Sequence, residues 1–225
     1  MTVTCLIPAY NEAARLGAVL RAVRTHPLVN EVLVVDDGSS DDTTEIARTF
    51  GAAVLVTPEN GGKTKAVAFG LAATRSDYIL FLDADLLGLT AADVTALLQP
   101  VLQGRADTAI SLRGNAPRVW RVIGLDYISG ERVIARALLE PHLAALQALP
   151  RFGFEVFLNR LLIAQKLRVA IVAWPKVASP SKARKRGFWA GLRADMAMMA
   201  DIFHTISPFA AVAQIWALRL QGRQG

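Results

Sequence analysis

Residues 1–113 alternate between two hydrophobic periods, and that alternation limits the fold more than any other feature of the chain. Four short runs are apolar at consecutive positions, "VTCLIP" (3–8), "EVLVVDD" (31–37), "AAVLVT" (52–57) and "YILFLDA" (78–84), and "DTAISLR" (107–113) reads as a fifth strand. Such runs read as strands buried on both faces. Between them stand segments of helical spacing. "NEAARLGAVLRAV" (11–23) carries Ala14, Leu16, Val19, Leu20 and Val23 on one face, with Asn11 as the expected N-cap. "SDDTTEIARTFG" (40–51), "GKTKAVAFGLAAT" (62–74) and "TAADVTALLQPVL" (90–102) follow, the last with Thr90 as N-cap. Strands alternating with helices require crossover connections. The expected class is therefore α/β, a mostly parallel central sheet flanked by helices in a Rossmann-like arrangement. In such sheets ligands bind beyond the carboxyl ends of the strands.

The second half is less regular. "GERVIARALLEPHLAAL" (130–146) reads as a helix broken near Pro141, "GFEVFLNRLLIAQKL" (153–167) as an amphipathic helix and "RVAIVAWP" (168–175) as a strand. A basic loop, "KVASPSKARKRGF", then leads into a long helical region at 189–220 with an expected kink at Pro208. Charge divides the same way. Residues 1–112 hold 8 Lys and Arg against 13 Asp and Glu, a net of −5, and residues 113–225 hold 17 against 6, a net of +11. An acidic half can hold a cation, and a basic half can face a phosphorylated substrate or an anionic lipid surface.

The hydrophobic share is 53% and the mean hydropathy is +0.35, enough for a sizeable core. The single cysteine, Cys5, lies inside a strand run and can form no intramolecular disulfide, so a reducing compartment is expected. "MTVTCLIPAY" lacks the basic and apolar regions of a secretory leader. No uninterrupted apolar stretch reaches the ~18 residues that a spanning helix needs. Without such a helix, a cytoplasmic chain is expected.

Carboxylates collect at the expected strand ends. Asp83 and Asp85 close "YILFLDAD" one residue apart and aim to one side. Two carboxylates sharing a small site trap a proton or bind a cation. Oxygen ligands suit Mg²⁺ or Mn²⁺, which also take substrate phosphate oxygens. In "VVDDGSSDDT" (34–43), Ser40, Asp41 and Asp42 read as helix caps. Asp36 and Asp37 are left for hydrogen bonds from a base or ribose. "ENGGKTKA" (59–66) opens a helix with Gly61, Gly62 and Lys63, a combination that can hold a diphosphate. Neither a Walker A loop nor GxGxxG occurs, which argues against P-loop and dinucleotide-dependent chemistry.

Taken in order, "IPAYNEAARL", "VVDDGSSDDT", "NGGKTKAVAFGL" and "YILFLDADL" resemble the motifs of family 2 glycosyltransferases of the GT-A fold. The resemblance is strong over residues 3–115. It implies a UDP- or GDP-sugar donor, a divalent metal and inversion at the anomeric carbon. It places Pro8, Tyr10 and Glu12 at the base, and Asp36 and Asp37 at the base or ribose. Lys63 and Ala84 fall at the nucleotide, Asp83 on the ribose side and beside the metal, and Asp85 on the metal bound to the diphosphate.

On this reading residues 1–115 form a nucleotide-sugar-binding half and 116–225 an acceptor-binding half of one continuous domain. "YISGERVIAR" (127–136) is similar to a segment of polyprenyl-phosphate sugar synthases of the dolichyl-phosphate mannose synthase type. That likeness assigns Arg132, and Lys182 in "SPSKARKRG", to an acceptor phosphate, and Glu155 to a metal or acceptor role. The expected acceptor is a polyprenyl phosphate or another membrane lipid, with segment 188–220, including Trp189 and Trp216, lying on the cytoplasmic face of a membrane. The alternatives are a soluble hydroxyl acceptor, which needs a carboxylate base such as Glu155 or Glu131, and a non-catalytic nucleotide-sugar binder. No nucleic-acid partner is expected, because the basic loop at 182–186 interleaves no aromatic residues.

Overall fold

A computed structural model describes residues 1–116, 118–149 and 153–180, together with Gln214 and Leu218; for 118–120 only the backbone is described. Its elements run β1 (Val3–Ala9), α1 (Ala13–Val23), β2 (Glu31–Asp36), α2 (Thr43–Thr49), β3 (Ala53–Val56), α3 (Lys63–Ala73), β4 (Tyr78–Phe81), α4 (Ala91–Leu102) and β5 (Thr108–Arg113). There follow α5 (Arg118–Ile123), β6 (Arg132–Ala135), α6 (Arg136–Leu139), a 3₁₀ turn (Glu140–His142), α7 (Leu143–Ala148), α8 (Phe154–Ala164) and β7 (Val169–Trp174). The strands form one seven-stranded sheet in the order β3-β2-β1-β4-β6-β5-β7. Every pairing is parallel except those of β6, which runs antiparallel between β4 and β5.

The sheet is covered on both faces, as the consecutive apolar runs require. Leu6 of β1 packs with Val35, Leu71, Phe81 and Phe154 on one face; Cys5 and Ile7 pack with Leu16, Leu20, Leu97 and Leu98 on the other. Burial pushes the Cys5 thiol well above its ordinary value, so it behaves as a small hydrophobe.

Two expectations change. The helix expected at 130–146 begins as a strand: Arg132–Ala135 fills the gap between β4 and β5 and pairs Phe81 with Arg132 and Ile110 with Arg132. β-branched Val133 and Ile134 suit this buried central position, and tertiary pairing overrides the local helical spacing. Asn11 is not an N-cap. It sits at φ 54, a left-handed conformation that Asn tolerates, and Glu12 takes the cap position without a side-chain cap bond. The amides there find partners from the next loop instead: Asn11 N donates to Ser39 Oγ (2.9 Å), Glu12 N to Thr43 Oγ1 (2.9 Å) and Ala13 N to Asp41 Oδ2 (3.2 Å). The expected cap at Thr90 is present as a full capping box with Asp93.

Among the described residues no helix is long and apolar enough to cross a membrane. Lys182 and most of segment 188–220, Trp189 and Trp216 included, lie outside the described residues. Of that segment, Leu218 is buried in the core and Gln214 Oε1 accepts from Tyr127 Oη at 2.7 Å.

Candidate functional site

The carboxyl ends of β1, β2 and β4 lie side by side, because these strands are parallel neighbours. At the β1 end Pro8 and Glu12 are half-buried and Tyr10 is 38% exposed, with Glu12 paired to Arg15 at 3.3 Å.

The β2 end is built inward. Asp36 Oδ1 accepts from Ser39 N at 2.8 Å, and its other oxygen accepts from the Thr44 hydroxyl. Asp37 Oδ1 accepts from Gly61 N (2.9 Å) and Oδ2 from Gly62 N (2.7 Å). Both side chains are buried. They shape two loops: Asp36 holds the turn into α2, and Asp37 folds the Gly61–Gly62 turn against the N-terminus of α3. That turn depends on glycine. Gly62 stands at φ 91, and a Cβ on Gly38 (φ 72) would lie 2.8 Å from the Glu59 carbonyl carbon.

Strand β4 ends at Phe81, so Asp83, Ala84 and Asp85 lie in the following turn, with both Asp residues half-buried and Ala84 buried. The turn is braced from behind. Leu87 pairs with Ala178 through two backbone bonds (2.8 and 3.0 Å), and a Cβ on Gly88 would lie 2.5 Å from the Lys176 carbonyl oxygen. The segment preceding the basic loop is thereby fixed beside the Asp83–Asp85 turn.

Lys63 begins α3 and reaches across to this turn. Its Nζ donates to Asp83 Oδ1 and to Glu155 Oε1, both at 2.7 Å. Burial alone would lower the Lys63 pKa, but the two carboxylates outweigh it and hold it above its ordinary value. Burial likewise opposes ionisation of Asp83; Lys63 and Arg113 overcome it and hold Asp83 below the usual carboxylate range. Glu155 stands in the first turn of α8, 7% exposed.

Beneath lies a charged layer of which the sequence singled out only Glu131. Arg113 Nη2 pairs with Asp126 Oδ2 at 2.9 Å and Arg113 Nη1 donates to Ser179 Oγ at 2.6 Å, while Glu131 Oε1 lies 3.6 Å from Nη1. Glu131 is fully buried, and Ser111 and Ser129 donate to its Oε2 at 2.7 and 2.8 Å. Burial, with Asp83 adding to it, lifts the Glu131 pKa against the opposing pull of Arg113. Nothing in the spacing of Arg113, Asp126 and Glu131 marks them as neighbours; the antiparallel β6 brings them together.

Arg132 requires a correction. Assigned to an acceptor phosphate, it is instead 1% exposed and spent on the protein. Its Nε donates to Ser129 O (2.8 Å), Nη1 to Asn159 Oδ1 (2.6 Å) and Nη2 to Tyr127 O (3.1 Å). As a residue of β6, between β4 and β5, it points into the core and frames loop 127–131. Burial pulls its pKa below the ordinary value for a guanidinium.

No group of three or more His, Cys, Asp or Glu suited to holding a metal alone occurs among the described residues. A Mg²⁺-type ion usually takes only one or two carboxylates and completes its shell with phosphate oxygens and water. Asp85, half-buried in the turn after β4, is a carboxylate of that kind.

The profile of glycosyl transferase family 2 matches residues 4–160. The chain belongs to that family. This family member is similar to glucosyl-3-phosphoglycerate synthase of Mycolicibacterium smegmatis, 32% identical over 155 residues that cover 65% of this chain and 50% of that protein. It is 35% identical to the corresponding synthase of Mycobacterium tuberculosis strain H37Rv over 162 residues, 68% and 49% of the two chains. With 4,4'-diaponeurosporenoate glycosyltransferase of Staphylococcus haemolyticus it shares 40% identity over 90 residues, 37% and 24% of the two. The chain thus spans about half the length, or less, of these curated relatives. The M. tuberculosis synthase solved with Mn²⁺, uridine diphosphate and glucosyl-3-phosphoglycerate superposes with a TM-score of 0.71 at 26% identity, covering 91% of this chain and 79% of that one. The same synthase with Mg²⁺ and uridine diphosphate gives 0.70 at 25% identity, with the same coverage. The GT-A, Rossmann-like sheet expected from the sequence is the observed fold. None of these relatives is a polyprenyl-phosphate synthase, so that subtype finds no support in them.

Proposed function

We propose that this family 2 chain transfers a glycosyl group from a uridine diphosphate sugar to the hydroxyl of a small, soluble, phosphate-bearing acid. The observation that carries the donor half is the Asp83–Asp85 turn at the end of β4, tied through Lys63 to the start of α3 that Asp37 braces at Gly61 and Gly62. The relatives that bind Mn²⁺ or Mg²⁺ with uridine diphosphate support the choice of nucleotide and metal. The acceptor class rests on the synthases whose product is glucosyl-3-phosphoglycerate.

In this reading the Tyr10 ring stacks on the base, with Pro8 and Glu12 at its edges. Asp37 and Asp36 act by holding the loops that shape the nucleotide pocket. Asp83 and Ala84 border the ribose, and Asp85 holds the metal. When bound, that metal neutralises charge developing on the departing diphosphate. The Gly61 and Gly62 amides that open α3 already donate to Asp37, so the diphosphate relies on the metal at Asp85 and on the charge of Lys63. The acceptor oxygen forms its bond to the anomeric carbon as the bond to the diphosphate breaks. Of the two carboxylates considered as base, Glu131 is fully buried and Glu155, 7% exposed and paired with Lys63, keeps some access, so Glu155 is the one assigned the acceptor proton.

The test is a transfer assay with uridine diphosphate glucose and Mn²⁺, offering 3-phosphoglycerate, glycerate and a short polyprenyl phosphate in parallel. Transfer to 3-phosphoglycerate above the others is expected. Transfer to the polyprenyl phosphate alone, or to none, would overturn the acceptor reading.

A further inference from the structure

Lys63 is positioned unlike a residue waiting for a ligand. Its ammonium lies between Asp83 and Glu155, 2.7 Å from one oxygen of each. The cluster is well shielded: side-chain exposure is 23% for Lys63, 25% for Asp83 and 9% for Glu155. Two carboxylates brought this close in a shielded site need a cation between them, since uncompensated like charges are costly out of water. Lys63 supplies that cation from within the chain.

The surrounding backbone is shaped to keep the contact. Loop 127–131 passes directly over it, and a Cβ on Gly130 would lie 2.5 Å from Lys63 Nζ and 2.6 Å from Asp83 Oδ1. Arg132 fixes that loop through Ser129 O and Tyr127 O. The site therefore has a place for a lysine head and none for a larger side chain at 130.

We infer that Lys63 withholds Asp83 and Glu155 from the divalent metal, so that of these three carboxylates only Asp85 receives it and the metal binds appreciably only together with the nucleoside diphosphate. This rests on the proposed function, which puts a metal–diphosphate at Asp85. One carboxylate and water make a weak site for Mg²⁺ or Mn²⁺, and diphosphate oxygens complete it. A fixed ammonium nearby also repels a second cation directly, while attracting the diphosphate that brings it. The lysine thus sets the order of binding.

The experiment is Mn²⁺ binding to the full chain, followed by the electron paramagnetic resonance signal of free Mn²⁺, with and without uridine diphosphate. The wild type should bind Mn²⁺ tightly only with the nucleotide. Without nucleotide, Lys63→Met should bind Mn²⁺ at least ten-fold more tightly than the wild type, and adding Asp83→Asn should reverse the gain. Lys63→Gln, which keeps a hydrogen-bond donor but removes the charge, is measured alongside, and a gain in whichever variant folds supports the inference. Nucleotide-free affinity that is unchanged or weaker in the folded variants, with wild-type Mn²⁺–nucleotide binding intact, overturns it. Failure of the wild type to bind Mn²⁺ even with uridine diphosphate overturns the functional reading, and the inference falls with it.

Discussion

Replacing Arg132 with methionine separates a framing role from an acceptor-binding role. Arg132 donates three hydrogen bonds of 2.6 to 3.1 Å to Asn159, Ser129 and Tyr127. Tyr127 O also accepts from Asn159 Nδ2 at 2.9 Å, so the change orphans two acceptors, Asn159 Oδ1 and Ser129 O. Each buried orphan costs about 1–3 kcal/mol. Methionine keeps the apolar stem and removes a buried charge, which offsets part of this. A net loss of about 3 kcal/mol follows, or a Tm lower by about 6–12 °C for a chain of this size. Thermal unfolding measures it. Well below the new Tm, the KM for the acceptor should change little, because the guanidinium is out of the acceptor's reach. A Tm within about 2 °C of wild type, with a ten-fold rise in acceptor KM, would refute the burial argument.

Two further outcomes test the packing and the electrostatics. A methyl group added by Gly70→Ala would sit 2.7 Å from Leu6 Cδ1 and 2.8 Å from Val35 Cγ2. Overpacking of about 1–3 kcal/mol should exceed the ~1 kcal/mol that alanine gains in a helix, so the urea midpoint should fall; a rise would contradict the close approach of α3 to β1 and β2. Asp107 accepts from the Arg168 side chain and amide, which hold its pKa below 3.8 in the folded chain. A depressed folded pKa contributes stability above the unfolded value, and that contribution is lost as pH falls through the folded value. Asp107→Asn should therefore cost a few tenths of a kcal/mol at about pH 6, small because the pair is exposed, and progressively less as pH falls through the folded value. A cost that grows on acidification would reverse the sign.

Much of the fold was legible, because parallel strands buried on both faces leave consecutive apolar runs such as "VLVV" and "YILF". The exception, β6, has four residues and a helix-like pattern; only its place between β4 and β5 makes it a strand. The strand-end carboxylates were legible as a group, since their positions follow from the strands. Their partners were not. Asp36 and Asp37 bond to backbone amides, which no side-chain pattern announces. Lys63 meets Asp83 and Glu155 across 20 and 92 residues of sequence. The likeness that assigned Arg132 to an acceptor phosphate could not show its burial, because sequence alone does not tell an inward-facing strand position from a helix face.

The account stands or falls on Asp85 joining nucleotide and metal. Thermal unfolding of the wild type with uridine diphosphate, with Mn²⁺, and with both tests this directly. Both together, at about 100 times the Kd, should stabilise by about 2.7 kcal/mol, a rise in Tm of about 5–11 °C, exceeding the sum of the separate effects. Asp85→Ala should abolish that synergy, measured against its own unliganded Tm. An absent synergy in the wild type, or one undiminished in Asp85→Ala, would contradict the account.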